Sequence, residues 1–204
     1  MSLIDYLNQT RYGQDLLTID EVIRLSDRGN TIFDPCSVLI SKHAVIGASN
    51  VFFPGVYLLC EEGAELVVGD FNRFYPNTLL EASGGAIRVG TQNQFGEGGF
   101  TAKANRQGAS ISIGDYGRYI NGAAVFGSTS LGSGSQLIGA VTVDSCHLQE
   151  GGDFREPDPD KRAGLLKGFG TAKNLTIPAG HVITGSGSFH LDNLVPQSFY
   201  HPKA

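Results

Sequence analysis

The chain has no tryptophan, one methionine and three cysteines in 204 residues, and only 17% of its residues are charged. Cys36, Cys60 and Cys146 are odd in number and lack paired spacing, so they form no disulfide framework. No C-x-x-C is present, which removes the common zinc signature and leaves no metal site to assign. They read as small buried thiols in a reducing cytoplasm. No apolar run approaches the roughly 18 residues of a membrane-spanning helix. The opening "MSLIDYLNQTRYGQ" has neither a basic nor an apolar region of the kind a signal peptide needs. A net charge of −5 gives no general pull towards nucleic acid or an anionic membrane.

Glycine is plentiful at 28 residues, and hydrophobic residues make up 41% of the chain. Few charges, many glycines and recurrent Val, Ile, Leu and Phe point to a sizeable core threaded by tight turns.

The apolar residues keep a stride of six. Ile46, Phe52 and Leu58 form one triplet; Val68, Phe74 and Leu80 the next; Val89, Phe95 and Thr101 a third. Ile113, Tyr119, Val125, Leu131, Leu137 and Val143 continue in unbroken steps, and Ile177, Ile183 and Phe189 close the series. Seventeen of these eighteen positions are apolar or aromatic, Thr101 being the exception, where 41% hydrophobic content would give about seven. Triplet openings repeat as "IGASNVF", "VGDFNRF", "VGTQNQF" and "IGDYGRY". Internal repetition at 21 to 24 residues marks a solenoid. One inward residue per six means one short strand and one turn, and three such units close a triangular coil. The excess residues all fall after the third member of a triplet, which predicts loops along one corner.

The comb of six with "[IV]-G-x-x-[NG]-x-[FY]" resembles the hexapeptide-repeat left-handed parallel β-helix (trimeric LpxA-like) superfamily, and the pattern is similar to the β-helical subunits of dynactin's pointed end. The resemblance implies an all-β, left-handed parallel β-helix of about six to seven triangular coils with a short α-helical N-terminal segment. The expected division is a helical segment over 1–30, the β-helix over 31–190 with a loop insertion at about 148–173, and a C-terminal tail over 191–204.

Several outward positions are apolar. On the third face these are Tyr57, Leu59, Leu79, Phe100, Ala102, Ala124 and Phe126, beside Glu81; on the second they are Phe53, Tyr75, Ile120 and Ile138, interleaved with Arg73, Gln94, Arg118 and Gln136. A face this apolar calls for a cover. One cover is the segment "TIDEVIRLSDRG", a helix with Thr18 and Glu21 as a capping box and Gly29 as its stop. The other is a partner chain, and the resemblance implies a homotrimer. Asn50, Asn72 and Asn93 occupy one place in successive coils and predict a stacked amide ladder.

The resemblance also implies acyltransferase chemistry, with a histidine as general base and acetyl-CoA or another acyl-CoA as donor. Among His43, His147, His181, His190 and His201, the candidate catalytic residue is His147, at the root of the long insertion "VDSCHLQEGGDFREPDPDKR". Arg162, Lys167 and Lys173 are the candidate contacts for cofactor phosphates. Two functions follow: a non-catalytic assembly or binding module working through its flat faces, or a CoA-dependent acyltransferase with sites between subunits near the long loop.

Overall fold

The structure is a computed structural model and describes residues 1–201. It is a parallel β-solenoid of triangular section. The first face stacks seven parallel strands, beginning with Ala44–Ile46 and Glu65–Val68 and ending with His147–Leu148 and Thr176–Ile177. The second runs from Thr31–Ile32 through Val51–Phe52, Arg73–Phe74, Gln94–Gly96, Arg118–Ile120 and Gln136–Ile138, and the third from Leu39–Ile40 through Tyr57–Cys60, Thr78–Ala82, Phe100–Ala104, Ala123–Phe126 and Val141–Asp144. Strand Leu165–Lys173 turns a corner and extends both ladders, its first half pairing with Gln136–Ile138 and its second with Val141–Asp144. The inward residues match the stride of six: Phe74 pairs with Phe52 and Phe95, and Val143 with Val125, all fully buried.

The register departs from the strict comb at two places. Ala102, not Thr101, is the inward residue opposite Leu80 and Val125, and Phe100 is buried beside it; Thr101 faces out. The step from Phe95 to Ala102 is seven, and the extra residue is taken up in "GEGG", where Gly98 and Gly99 hold φ of 102° and 93°. The second departure lies in the stretch read as insertion. Leu148, Leu166 and Ala172 are fully buried and form a complete triplet within it. Only residues 149–164 leave the coil. They do so at the corner between the first and second faces, whereas the shorter loops at 61–64, 83–85 and 105–109 lie between the third and first.

The repeat motif has a physical cause. Each Asn side chain binds the next coil at least twice. The Asn50 carbonyl oxygen accepts the N–H of Asn72 at 2.8 Å, and its amide donates to the Gly69 carbonyl at 3.0 Å. Asn72 repeats this with Asn93 and Gly90 at 2.9 Å each. Asn30 supplies an earlier rung, its oxygen accepting the N–H of Asn50. The ladder is therefore mainly side chain to backbone rather than amide to amide. The repeat's glycine is the other half of the device: a Cβ on Gly69 would stand 2.6 Å from the Gly90 carbonyl oxygen. Inside the coil, the Phe52, Phe74 and Phe95 rings stack with centroids 5.1 and 5.0 Å apart. In the fourth repeat Gly117 replaces Asn and Tyr119 replaces Phe together, because a Cβ at 117 would collide with the Tyr119 hydroxyl. That buried hydroxyl pairs with Ser135 Oγ at 3.0 Å.

The first end is capped and the last is partly covered. The N-terminal segment forms α1 (Leu3–Tyr12) and α2 (Ile19–Arg24), with the Thr18–Glu21 capping box in place and Gly29 ending the turn that follows. It does not lie along the third face. Val22 is buried in the core with Val38, Ile40 and Ile46, so this segment covers the open end of the first coil. Arg11, 4% exposed, donates to the carbonyls of Pro35, Cys36 and Val38, which have no coil above them, and to that of Leu17 in its own segment. At the other end Leu194–Pro196 runs antiparallel to Val182 and Ile183 and covers part of the last strand's edge.

Candidate functional site

The corner between the first and second faces needs one residue per coil in the left-handed conformation. Ser49, Phe71, Gln92 and Tyr116 hold it with φ between 57° and 58°. Their N–H groups bind the coil before, that of Phe71 to Ala48 at 3.0 Å and that of Tyr116 to Thr91 at 2.9 Å. Gly or Asn suits such a position, and a bulky side chain there costs about 1–2 kcal/mol. Phe71 and Tyr116 nonetheless occupy it, 60% and 40% exposed.

These rings and Gln92 border an open groove of about 520 Å³, with Arg73, Tyr75 and Gln94 on its second-face wall. Phe154 and Arg155 reach it from the 149–164 insertion. Tyr75 ends an outer aromatic row, Phe33 to Phe53 to Tyr75, with centroids 4.8 Å apart. Arg118 lies 5.3 Å from the Phe154 ring and 3.8 Å from Glu97, and its buried Nε has no hydrogen-bond partner. Arg155 is tied to Asp153, whose carboxyl it holds below the ordinary carboxylate range. Arg73 has no carboxylate partner among the described residues and sits 5.9 Å from the Tyr75 ring.

The residues singled out from sequence lie elsewhere and apart. His147 faces outward on the first face, opposite Ser130 and Thr176, in a groove of about 440 Å³ that Gln149 and Glu150 share. Its imidazole makes no hydrogen bond among the described residues. Cys146 is 2% exposed, its thiol accepts the Leu175 N–H at 3.4 Å, and burial pushes that thiol up. Arg162 is held inside the insertion, its Nε donating to the Glu156 carbonyl at 2.8 Å. Lys167 projects from the second face with its Nζ 3.5 Å from the Tyr200 ring centroid, and Lys173 is on the third face opposite Asp144. The structure thus brings none of the three basic residues beside His147. The insertion is folded down: Asp160 accepts the Ser198 N–H at 2.8 Å, and buried Gln197 donates to the Ala163 carbonyl at 2.7 Å. Among the described residues no group of three His, Cys, Asp or Glu side chains is placed to hold a metal ion, and no helix is long and apolar enough to cross a membrane.

No protein-family model and no curated protein matches the chain. Among solved structures, LpxA from Acinetobacter baumannii is similar at 13% identity and a TM-score of 0.30, over 77% of this chain and 69% of that one. The fold described above rests on this chain's own ladders.

Proposed function

We propose that this chain is a non-catalytic binding and assembly module that works through the outer surface of its solenoid. The observation supporting this is the pair Phe71 and Tyr116: two exposed rings held at backbone positions where they weaken the fold, beside Arg73 and above a groove. A large side chain kept largely exposed at a cost to backbone stability fits a surface selected for contact. The test is tyrosine fluorescence of the whole chain, which has seven Tyr and no Trp, titrated with soluble glycans, nucleotides and acyl-CoA. A saturable change abolished by Phe71→Asn or Tyr116→Asn supports the reading. No response, or a response indifferent to both variants, overturns it.

The third face gives the assembly half. Tyr57, Leu59, Leu79 and Phe126 present partly exposed apolar area there, around the Glu81–Lys103 ion pair. We assign this face to contact between copies in a homotrimer. Light scattering that finds a monomer at tens of micromolar would remove this part.

The acyltransferase alternative draws on His147, which is open to a groove beside Glu150. Its test is a melting shift with acetyl-CoA or succinyl-CoA that is lost in His147→Ala.

A further inference from the structure

We infer that the corner groove binds an extended acidic glycan whose carboxylates are widely spaced. This deepens the binding-module reading and rests on it.

Three observations carry the assignment. The first is the order along the corner. Phe71, Gln92 and Tyr116 occupy successive coils, so a ring, an amide and a ring recur with the two rings two strand spacings, about 9.6 Å, apart. Rings at that interval match alternate units of an extended glycan, whose apolar sugar faces lie flat on aromatic side chains. The Gln92 and Gln94 amides between them both donate and accept, as hydroxyl groups require.

The second is shape. The groove lies along the solenoid axis and stays open, and small-molecule sites instead enclose most of their ligand. An open track suits a chain lying along it, with Phe154 and Arg155 of the insertion bordering it.

The third is charge. Arg155 and Arg118 face Asp153 and Glu97, so Arg73 is the groove cation without a carboxylate partner among the described residues. One unmatched guanidinium suits one carboxylate per repeat, bound through paired N–H donors. A nucleic acid strand brings a phosphate with every nucleotide and would meet a chain of net charge −5.

The test is calorimetric titration of the intact chain with four probes: an octasaccharide of alternating glucuronate and N-acetylglucosamine, a neutral N-acetylglucosamine oligomer, an oligouronate with a carboxylate on every unit, and oligo(dT). The alternating acidic probe should bind at least 10-fold tighter than the neutral one. Arg73→Gln should remove that preference, and Phe71→Asn should weaken binding at least 10-fold while its melting temperature stays at or above that of the native chain. That last readout separates lost binding from lost folding, because Asn relieves the strain at 71. Equal binding of the neutral oligomer, tighter binding of the fully charged oligouronate, or binding of oligo(dT) alone that Phe71→Asn abolishes would overturn the assignment to a glycan of widely spaced carboxylates while leaving a working groove. No binding of any probe, or binding unaffected by Phe71→Asn and Tyr116→Asn, would overturn the assignment; only the wider ligand screen described above decides the groove itself.

Discussion

Replacing Asn72 with alanine tests the central spine of the coil. Asn72 is fully buried and makes three side-chain contacts with the next coil. Its oxygen accepts the Asn93 N–H at 2.9 Å and the Asn93 amide at 3.1 Å, and its own amide donates to the Gly90 carbonyl at 2.9 Å. The Asn93 amide keeps a second acceptor in the Gly114 carbonyl. The buried Asn93 N–H and the half-buried Gly90 carbonyl lose the partners named here, where alanine supplies nothing. A buried orphan costs about 1–3 kcal/mol and a half-buried one less, so Asn72→Ala should lose about 3 kcal/mol. For a chain of this length that lowers the melting temperature by about 6–12 °C, read by circular dichroism. Hydrogen exchange should speed up selectively at the Asn93 amide. Asn72→Asp sharpens the test. It keeps an acceptor for Asn93 but aims a carboxylate oxygen at the Gly90 carbonyl, so burial raises its folded pKa above the unfolded value. A raised pKa gives stability that is present at low pH and lost as pH rises through the folded value, so the Asp variant should approach the native chain only in acid. A melting temperature within about 2 °C of native for Asn72→Ala, with Asn93 protection unchanged, would refute the spine.

Three further outcomes follow from the same geometry. Tyr119→Phe removes the partner of buried Ser135 Oγ and should cost about 1–2 kcal/mol in urea denaturation, with Ser135→Ala in that background recovering part of the loss. Arg11→Met leaves three carbonyls of the first coil and that of Leu17 without their charged donor, should cost about 3 kcal/mol, and should expose the N-terminal segment to limited proteolysis before the coils open. Asp144 is held below the ordinary carboxylate range chiefly by its hydrogen bond from Arg106, so its contribution is full above about pH 4 and fades as the solution is acidified further; Arg106→Gln should flatten that acid limb by under about 1 kcal/mol.

The stride of six was legible because inward residues must be apolar wherever coils stack, and Val68, Phe74 and Leu80 announce it. It failed where small or displaced residues took the inward place. Ala172 gives little hydrophobic signal, and Leu148 and Leu166 are separated by the folded-out residues 149–164, so one coil was hidden. Thr101 stood in for Ala102 because the extra residue in "GEGG" leaves no mark on hydrophobicity. The helix of the N-terminal segment was readable from its capping box, but its seat was not, since the need to satisfy the first coil's carbonyls through Arg11 is a property of the assembled end. The corner groove did leave a trace: aligned openings put Phe71 and Tyr116 in the slot before Asn or Gly, where a turn prefers small residues. The approach of Phe154 and Arg155 had no such trace, because the path of the insertion is set by its contacts with the tail.

The asparagine rungs run from Asn30 to Asn93 and stop where Gly117 begins, and the stacked rings end at Tyr119 in the same coil. A molecule drawn out by its two ends should therefore unspool in two episodes. The turns beyond that junction, which lack the asparagine rungs and the ring stack, give way at the lower force, and the turns before it resist longer as a single block.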